Sequence, residues 1–175
     1  MTTSLVLTAI GPDRPGLVSL LSDAGKRHGA SWAGSRMASL AGRFAGMVHF
    51  EVDDVDADAL VAALRGLESS GLRIVIERGA RAAPAPSRRV RLELVGHDRP
   101  GIVHELSKSL AELGVSIDEL HTHVVSGAMS GGNLFKVKAL LGVPVGVGDP
   151  ELQHALESLA NEMMVDLEVG EPAAG

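Results

Sequence analysis

The residues best suited to chemistry in this chain occur twice in one arrangement. Gly11-Pro-Asp13-Arg-Pro15-Gly16-Leu17-Val18 returns as Gly96-His-Asp98-Arg-Pro100-Gly101-Ile102-Val103. Each copy ends an apolar, strand-like run and opens an amphipathic helical pattern. Asp13 and Asp98 are N-cap candidates, because a carboxylate accepts hydrogen bonds from the amides that begin a helix without partners. Pro15 and Pro100 suit the first helical turn, where a missing N–H costs nothing. Gly16 and Gly101 leave off a side chain beside those same amides. Such a turn offers N–H groups and the positive end of a helix dipole, which suits a carboxylate or another small anion. A tight, well-capped strand-to-helix turn without any ligand would need the same residues, and duplication preserves structural turns as readily as binding ones.

Other constellations are sparser. His121 and His123 lie two apart on a strand-like segment, so their rings share a face and, with His97 or His104, have the residue types for a metal site. A solvated or dimer-facing sheet position is the simpler reading, and no metal or cofactor is expected. His97 beside Asp98 has the makings of an acid–base pair, but Pro12 stands at its place in the first copy. No nucleophile–base pair emerges, and no glycine loop ends in Gly-Lys-Ser/Thr. Zero cysteines exclude disulfides and thiolate chemistry. Trp32, the only indole, is read as a buried residue before it is read as a ligand contact.

The repeat sets the architecture that must position these turns. An offset of 85 residues holds without a gap through His28-Gly29-Ala30-Ser31 against Leu113-Gly114-Val115-Ser116. Leu60, Leu64 and Leu67 then match Leu152, Leu156 and Leu159 at an offset of 92, so the second copy has about seven extra residues before its second helix. Most belong in the glycine-rich stretch 126–132. Strands are expected at 4–10, 31–40, 44–52 and 72–77, with helices from Leu17 and from Asp56 and a helix end at Gly29. The second copy repeats the order at 89–96, 100–114, 115–126, 133–143, 149–162 and 163–169. The fold class is α+β: two ferredoxin-like βαββαβ units, each an antiparallel four-stranded sheet with two helices on one face. The first unit spans 1–79 and the second 90–170. A Pro/Ala/Arg linker at 80–89 joins them, and 171–175 form a flexible tail.

Composition limits what such units can do. The 175 residues are 45% apolar but only 2% aromatic, which calls for an aliphatic core. The net charge is −6, and residues 90–175 carry five Lys/Arg against thirteen Asp/Glu, so direct nucleic-acid binding is not expected. Glu151, Glu157 and Glu162 line a helix face read as solvated, with an acidic docking surface for a protein as the second reading. No apolar run approaches the roughly 18–20 residues of a membrane span, and no secretory signal is visible, so a cytoplasmic location is expected.

The turn sequence, followed by helices ending in His28-Gly29-Ala30-Ser31-Trp32 and Leu113-Gly114-Val115-Ser116-Ile117, resembles the ACT domain, an amino-acid-sensing regulatory module. The tandem is similar to the glycine cleavage system transcriptional repressor group, on Ser35-Arg36-Met37 and on Asn133-Leu134-Phe135-Lys136-Val137 followed by Val143-Pro144. The resemblance covers all but the linker and the last few residues. It implies that a small amino acid binds where units pair. Its polar head would meet the turns at Asp13, Pro15, Gly16, Leu17 and Val18, and at Asp98, Pro100, Gly101, Ile102 and Val103. The second-strand starts, Ser31 and Trp32 or Ser116, Ile117 and Asp118, would supply the other contacts. Asp118 stands where the first copy has Ala33, which favours the second copy as the better site.

The resemblance further implies a non-enzymatic protein acting through a transcription regulator, or alternatively a detached regulatory subunit of a metabolic enzyme. Units of about 80 residues have sheet edges and faces to cover, so a homodimer is expected. Light scattering should give about twice the 18.1 kDa chain mass. A mass near 18.1 kDa would sink the dimer and leave pairing within one chain.

Overall fold

The computed structural model describes residues 1–79, 88–127 and 132–171, and the chain divides into two compact units, Met1–Ala82 and Ala83–Gly175. The first contains β1 (Thr2–Pro12), α1 (Leu17–Arg27), β2 (Ser31–Leu40), β3 (Arg43–Asp53), α2 (Asp54–Gly66) and β4 (Arg73–Arg78), with a 3-10 turn at Leu67–Ser70. The second contains β5 (Arg88–His97), α3 (Ile102–Glu112), β6 (Ser116–Ser126), β7 (Asn133–Val143), α4 (Asp149–Met163) and β8 (Asp166–Gly170). Both are βαββαβ, with antiparallel sheets ordered β2-β3-β1-β4 and β6-β7-β5-β8. The expected α+β architecture is therefore what the chain adopts, once per unit.

Alternation along the strands selects the buried face. Leu5, Leu7 and Ala9 of β1 and Phe44, Val48, Phe50 and Val52 of β3 are buried against Leu17, Leu21 and Ala24 of α1 and Ala57, Leu60 and Leu64 of α2. The second core repeats this with Val90, Leu92 and Leu94, the α3 stripe Ile102, Leu106 and Leu110, and Leu152, Leu156 and Leu159 of α4. Among the described residues no polar side chain is buried, so these cores rest on apolar packing, mostly aliphatic with Phe44 and Phe50 in the first.

The other sheet face differs between units. Ile10, Met47 and Val75 are exposed on the first sheet. The second sheet instead carries Arg91 and Glu93 of β5, His121 and His123 of β6, and Lys136 and Lys138 of β7.

Several boundaries move from their expected places. β1 starts at Thr2 because it pairs with β3 all the way to Asp53, and α2 follows that strand directly from Asp54. α4 runs on through Met163 and ends at Met164, at φ 53°, which pushes the start of β8 to Asp166. Arg88 and Arg89, expected in the linker, lie in β5, where they pair with Val143 and Gly142. Residues 80–87 and 172–175 of the linker and tail lie outside the described residues. Ser31 pairs with Glu51 twenty residues on, whereas Ser116 pairs with Gly142 twenty-six on, so six of the extra residues fall within the second hairpin. That agrees with their assignment to 126–132, of which 128–131 lie outside the described residues.

The first glycine of each repeated turn is fixed by packing. A Cβ on Gly11 would stand 2.8 Å from the Gly71 carbonyl oxygen, and one on Gly96 would overlap the Val165 side chain. Each glycine thus lets its central strand pass close beneath the loop that leads into the last strand. Gly96→Ala should destabilise the protein by about 1–3 kcal/mol, the usual cost of overpacking. Chemical denaturation checks this, with Gly146→Ala, in open space, as the neutral control.

Candidate functional site

The first helix starts where its apolar spacing begins, and that of the second unit two residues later than its expected start at 100. α1 opens at Leu17 and α3 at Ile102, with Gly16 and Gly101 as N-caps at φ 91° and 92°. A left-handed residue at that place is what swings the chain from strand into helix, and glycine adopts it without strain. Pro15 and Pro100 therefore sit in the turn and not in the first helical turn. Neither Asp13 nor Asp98 caps its helix by a side-chain hydrogen bond. Their backbone amides instead donate to the Gly42 and Asn133 carbonyls at 3.0 Å, tying each turn to the neighbouring hairpin.

The first intrahelical bonds are Leu20 N–H to the Gly16 carbonyl and Glu105 N–H to the Gly101 carbonyl, at 3.0 and 2.9 Å. The amides of residues 17–19 and 102–104 precede them and face outward from the helix ends. Leu17 and Ile102 bury their side chains in the cores, whereas Val18 and Val103 are 48% and 36% exposed beside those amides. As an anion-binding surface, each turn offers backbone N–H groups and one valine.

The second-strand starts lie elsewhere. β1 and β2 are both antiparallel to β3 and so parallel to each other. Ser31 pairs with Glu51, which pairs with Ser4, eight residues before Pro12. At the strand rise that separation is about 26 Å. The second unit repeats it, from Ser116 through Gly142 to Arg89, eight residues before His97. A single unit thus keeps the two halves of the expected site at opposite ends of its sheet.

At that far end Trp32 turns inward, meeting Phe50 edge-on with ring centroids 5.3 Å apart, and Ile117 packs on the second core. Ser31 and Ser116 are exposed. Ala33 and Asp118 are the inserted residues of matching β-bulges, between Trp32 and Gly34 and between Ile117 and Glu119. The Ser116 hydroxyl donates to Asp118 Oδ1 at 2.9 Å, and Arg89 Nε lies 3.6 Å from Oδ2.

The structure adds residues that sequence reading missed. Arg99 donates from Nη1 to Glu105 Oε1 at 2.7 Å and from Nη2 to Oε2 at 2.6 Å, a two-point pairing across the second turn. Its counterpart Arg14 donates to the Ser70 carbonyl at 3.0 Å, and Leu20 occupies the place of Glu105. Aligning the copies exposes that Leu/Glu difference; its meaning depends on where a helical side chain reaches. Hydrogen bonds from Arg99 hold the Glu105 carboxyl below its ordinary value of 4.5, and in return raise the guanidinium. His121 and His123 pair in register with Lys138 and Lys136, and among the described residues no three His, Asp or Glu form a metal-binding group.

Two ferredoxin-like units in tandem, each opening its first helix with the same amide-bearing turn, define a duplicated regulatory fold. The ACT domain model matches residues 3–77 and 89–170, and the chain belongs to the ACT domain family. An unknown protein from Galdieria sulphuraria is 30% identical over 99% of this chain and 100% of its own, with a TM-score of 0.82. A candidate glycine cleavage system transcriptional repressor shares the fold at 19% identity over 97% of both chains, with a TM-score of 0.73. No curated protein matches. No helix among the described residues is long and apolar enough to cross a membrane.

A carboxyl whose folded pKa is lowered adds stability above its unfolded value and loses it as pH falls through the folded one. The gap in thermal midpoint between the native protein and Glu105→Gln should therefore be present at neutral pH and close as pH drops below 4.5. Paired melts across that range check it, and a gap that widens in acid would refute the pairing.

Proposed function

We propose that this chain is a non-enzymatic amino-acid sensor that changes how a protein partner behaves when a small amino acid occupies it. The observation that carries the reading is the ACT match over both units, joined to turns whose helix-opening amides have no intrahelical acceptor and can donate to a carboxylate. The valine beside each turn leaves little room for side-chain selection, so the common backbone of an amino acid would be the main recognised feature. The ammonium would need carbonyls or a carboxylate, and Asp118, set out by its bulge, is the acidic residue proposed for that role. Since turn and strand start lie at opposite ends of one sheet, the ligand would sit where one ACT unit meets another.

The likeness to a candidate glycine cleavage repressor motivates a role in transcriptional control of amino-acid and one-carbon metabolism. With its net charge of −6, the protein would act there through a separate DNA-binding protein.

Thermal shift against the twenty amino acids is the test. A ligand at a hundredfold excess over Kd stabilises by about 2.7 kcal/mol, so one or two amino acids should raise the midpoint clearly. Asp118→Asn should weaken that response about tenfold or more in apparent Kd, the loss of an interaction of roughly 1.4 kcal/mol. No shift with any amino acid at millimolar concentration would refute the sensor, and an unchanged Kd in the variant would remove Asp118 from the site.

A further inference from the structure

The first sheet turns toward solvent a face that is apolar across its middle and oppositely charged at its two ends. We infer that this face stacks on the same face of a second copy of the chain, with the strands of the two sheets running in opposite directions. The inference is independent of the amino-acid reading, and it names the surface and the orientation through which two copies meet.

Alternation places Val6, Thr8 and Ile10 of β1, Met47 of β3 and Val75 of β4 on the side of the sheet away from the helices. Ile10, Met47 and Val75 are 42%, 51% and 53% exposed. Thr8 pairs with Met47 on one side and Val75 on the other, so these three form one row across the sheet. Charges are set symmetrically about that row. Arg73 and Glu77 lie two residues before and after Val75, and Arg43 and Glu51 lie four before and after Met47. Arg73 and Glu77 are about 13 Å apart along β4, too far to pair with each other. Arg36, the β2 residue of the row, donates its guanidinium back to the Ser35 carbonyl at 3.0 Å.

A two-fold axis between two such faces, lying along the Thr8 row, lays each strand over its own copy in reverse. Val6 then meets Ile10 of the second copy, Met47 and Val75 meet themselves, Arg73 meets Glu77 and Arg43 meets Glu51. Every apolar group finds an apolar one, and both charged pairs are of opposite sign. An axis along the strands would lay β2 over β4 and bring no opposite charges together. The second sheet lacks this pattern: the same rotation about its Glu93 row would set Glu93, Glu168 and Lys138 each against its own charge. Four strands about 4.8 Å apart and the span from Ser4 to Pro12 make a face of roughly 500 Å². Two such faces come to about 1,000 Å², which is what a specific interface requires.

Sedimentation of the full chain over a concentration series reads the dimer Kd, with the thermal midpoint of each variant as the check on folding. Met47→Asp, an exposed position outside the core, should leave a monomer where the native chain is a dimer. Arg73→Glu should weaken the dimer about tenfold or more, since it opposes like charges at two symmetry-related places. Adding Glu77→Arg to it restores opposite signs, and the double variant should return to within about threefold of the native Kd. Glu77→Arg alone reads the same contact should Arg73→Glu lower the midpoint. A native chain that stays monomeric overturns the inference, as does a dimer indifferent to Met47→Asp and Arg73→Glu. A double variant no tighter than the single ones overturns the antiparallel stacking.

Discussion

The geometry of both repeated turns depends on how a central strand becomes a helix within a few residues. The chain ends β1 or β5 beneath the loop before the last strand, turns through Asp-Arg-Pro, and enters the helix through a left-handed glycine at φ 91° or 92°. Two glycines do separate work there. Gly11 and Gly96 allow the close approach of backbone or side chain to the strand, and Gly16 and Gly101 supply the positive φ. The hairpin hydrogen bond from the aspartate amide then fixes the turn against the sheet. The result is a rigid end of a helix whose first amides face out, produced by backbone geometry more than by any side chain.

Antiparallel pairing imposes the second constraint. Because β1 and β2 both run against β3, the turn and the start of the second strand are separated by the length of the sheet. The bulges at Ala33 and Asp118 lie at the far end, within β2 and β6, the strands at the edge of each sheet. Turn and bulge therefore lie at the ends of each sheet and not in its core. The cores themselves are closed mainly by leucine, valine and alanine, with Phe44 and Phe50 in the first, and among the described residues bury no polar side chain.

Duplication has not kept the two units alike. The first sheet exposes Ile10, Met47 and Val75, whereas the second replaces that surface with paired charges such as Lys138 and Glu93 at 3.3 Å. Beside the first turn stands Leu20 and in its bulge an alanine; beside the second Glu105 pairs with Arg99, and the bulge carries an aspartate. The side chains around turn and bulge have thus drifted apart between copies that share one backbone. An equal division of labour between the units is not what these side chains support.

The sequence by itself determined the duplication, the βαββαβ order and the aliphatic cores, because apolar period and the repeated turn are local signals that survive without knowledge of contacts. Leu17, Leu21 and Ala24 declare a helix face, and Phe44, Val48, Phe50 and Val52 a strand face, wherever they end up. The start of α3 was misplaced by two residues, since proline suits a first turn as well as the turn before it and only the φ of Gly101 separates the cases. The aspartates, read as caps, prove to serve through their backbone amides, a use that side-chain chemistry does not announce. Tertiary structure alone decided that Trp32 meets Phe50 in the core, and that Asp118 is pushed out by a bulge toward Arg89. It also decided that Arg99 finds Glu105 while Arg14 finds Ser70. These are pairings across turns, between strands or over fifty residues of chain, and their energies depend on where the backbone brings each group, which no local pattern of residue types encodes.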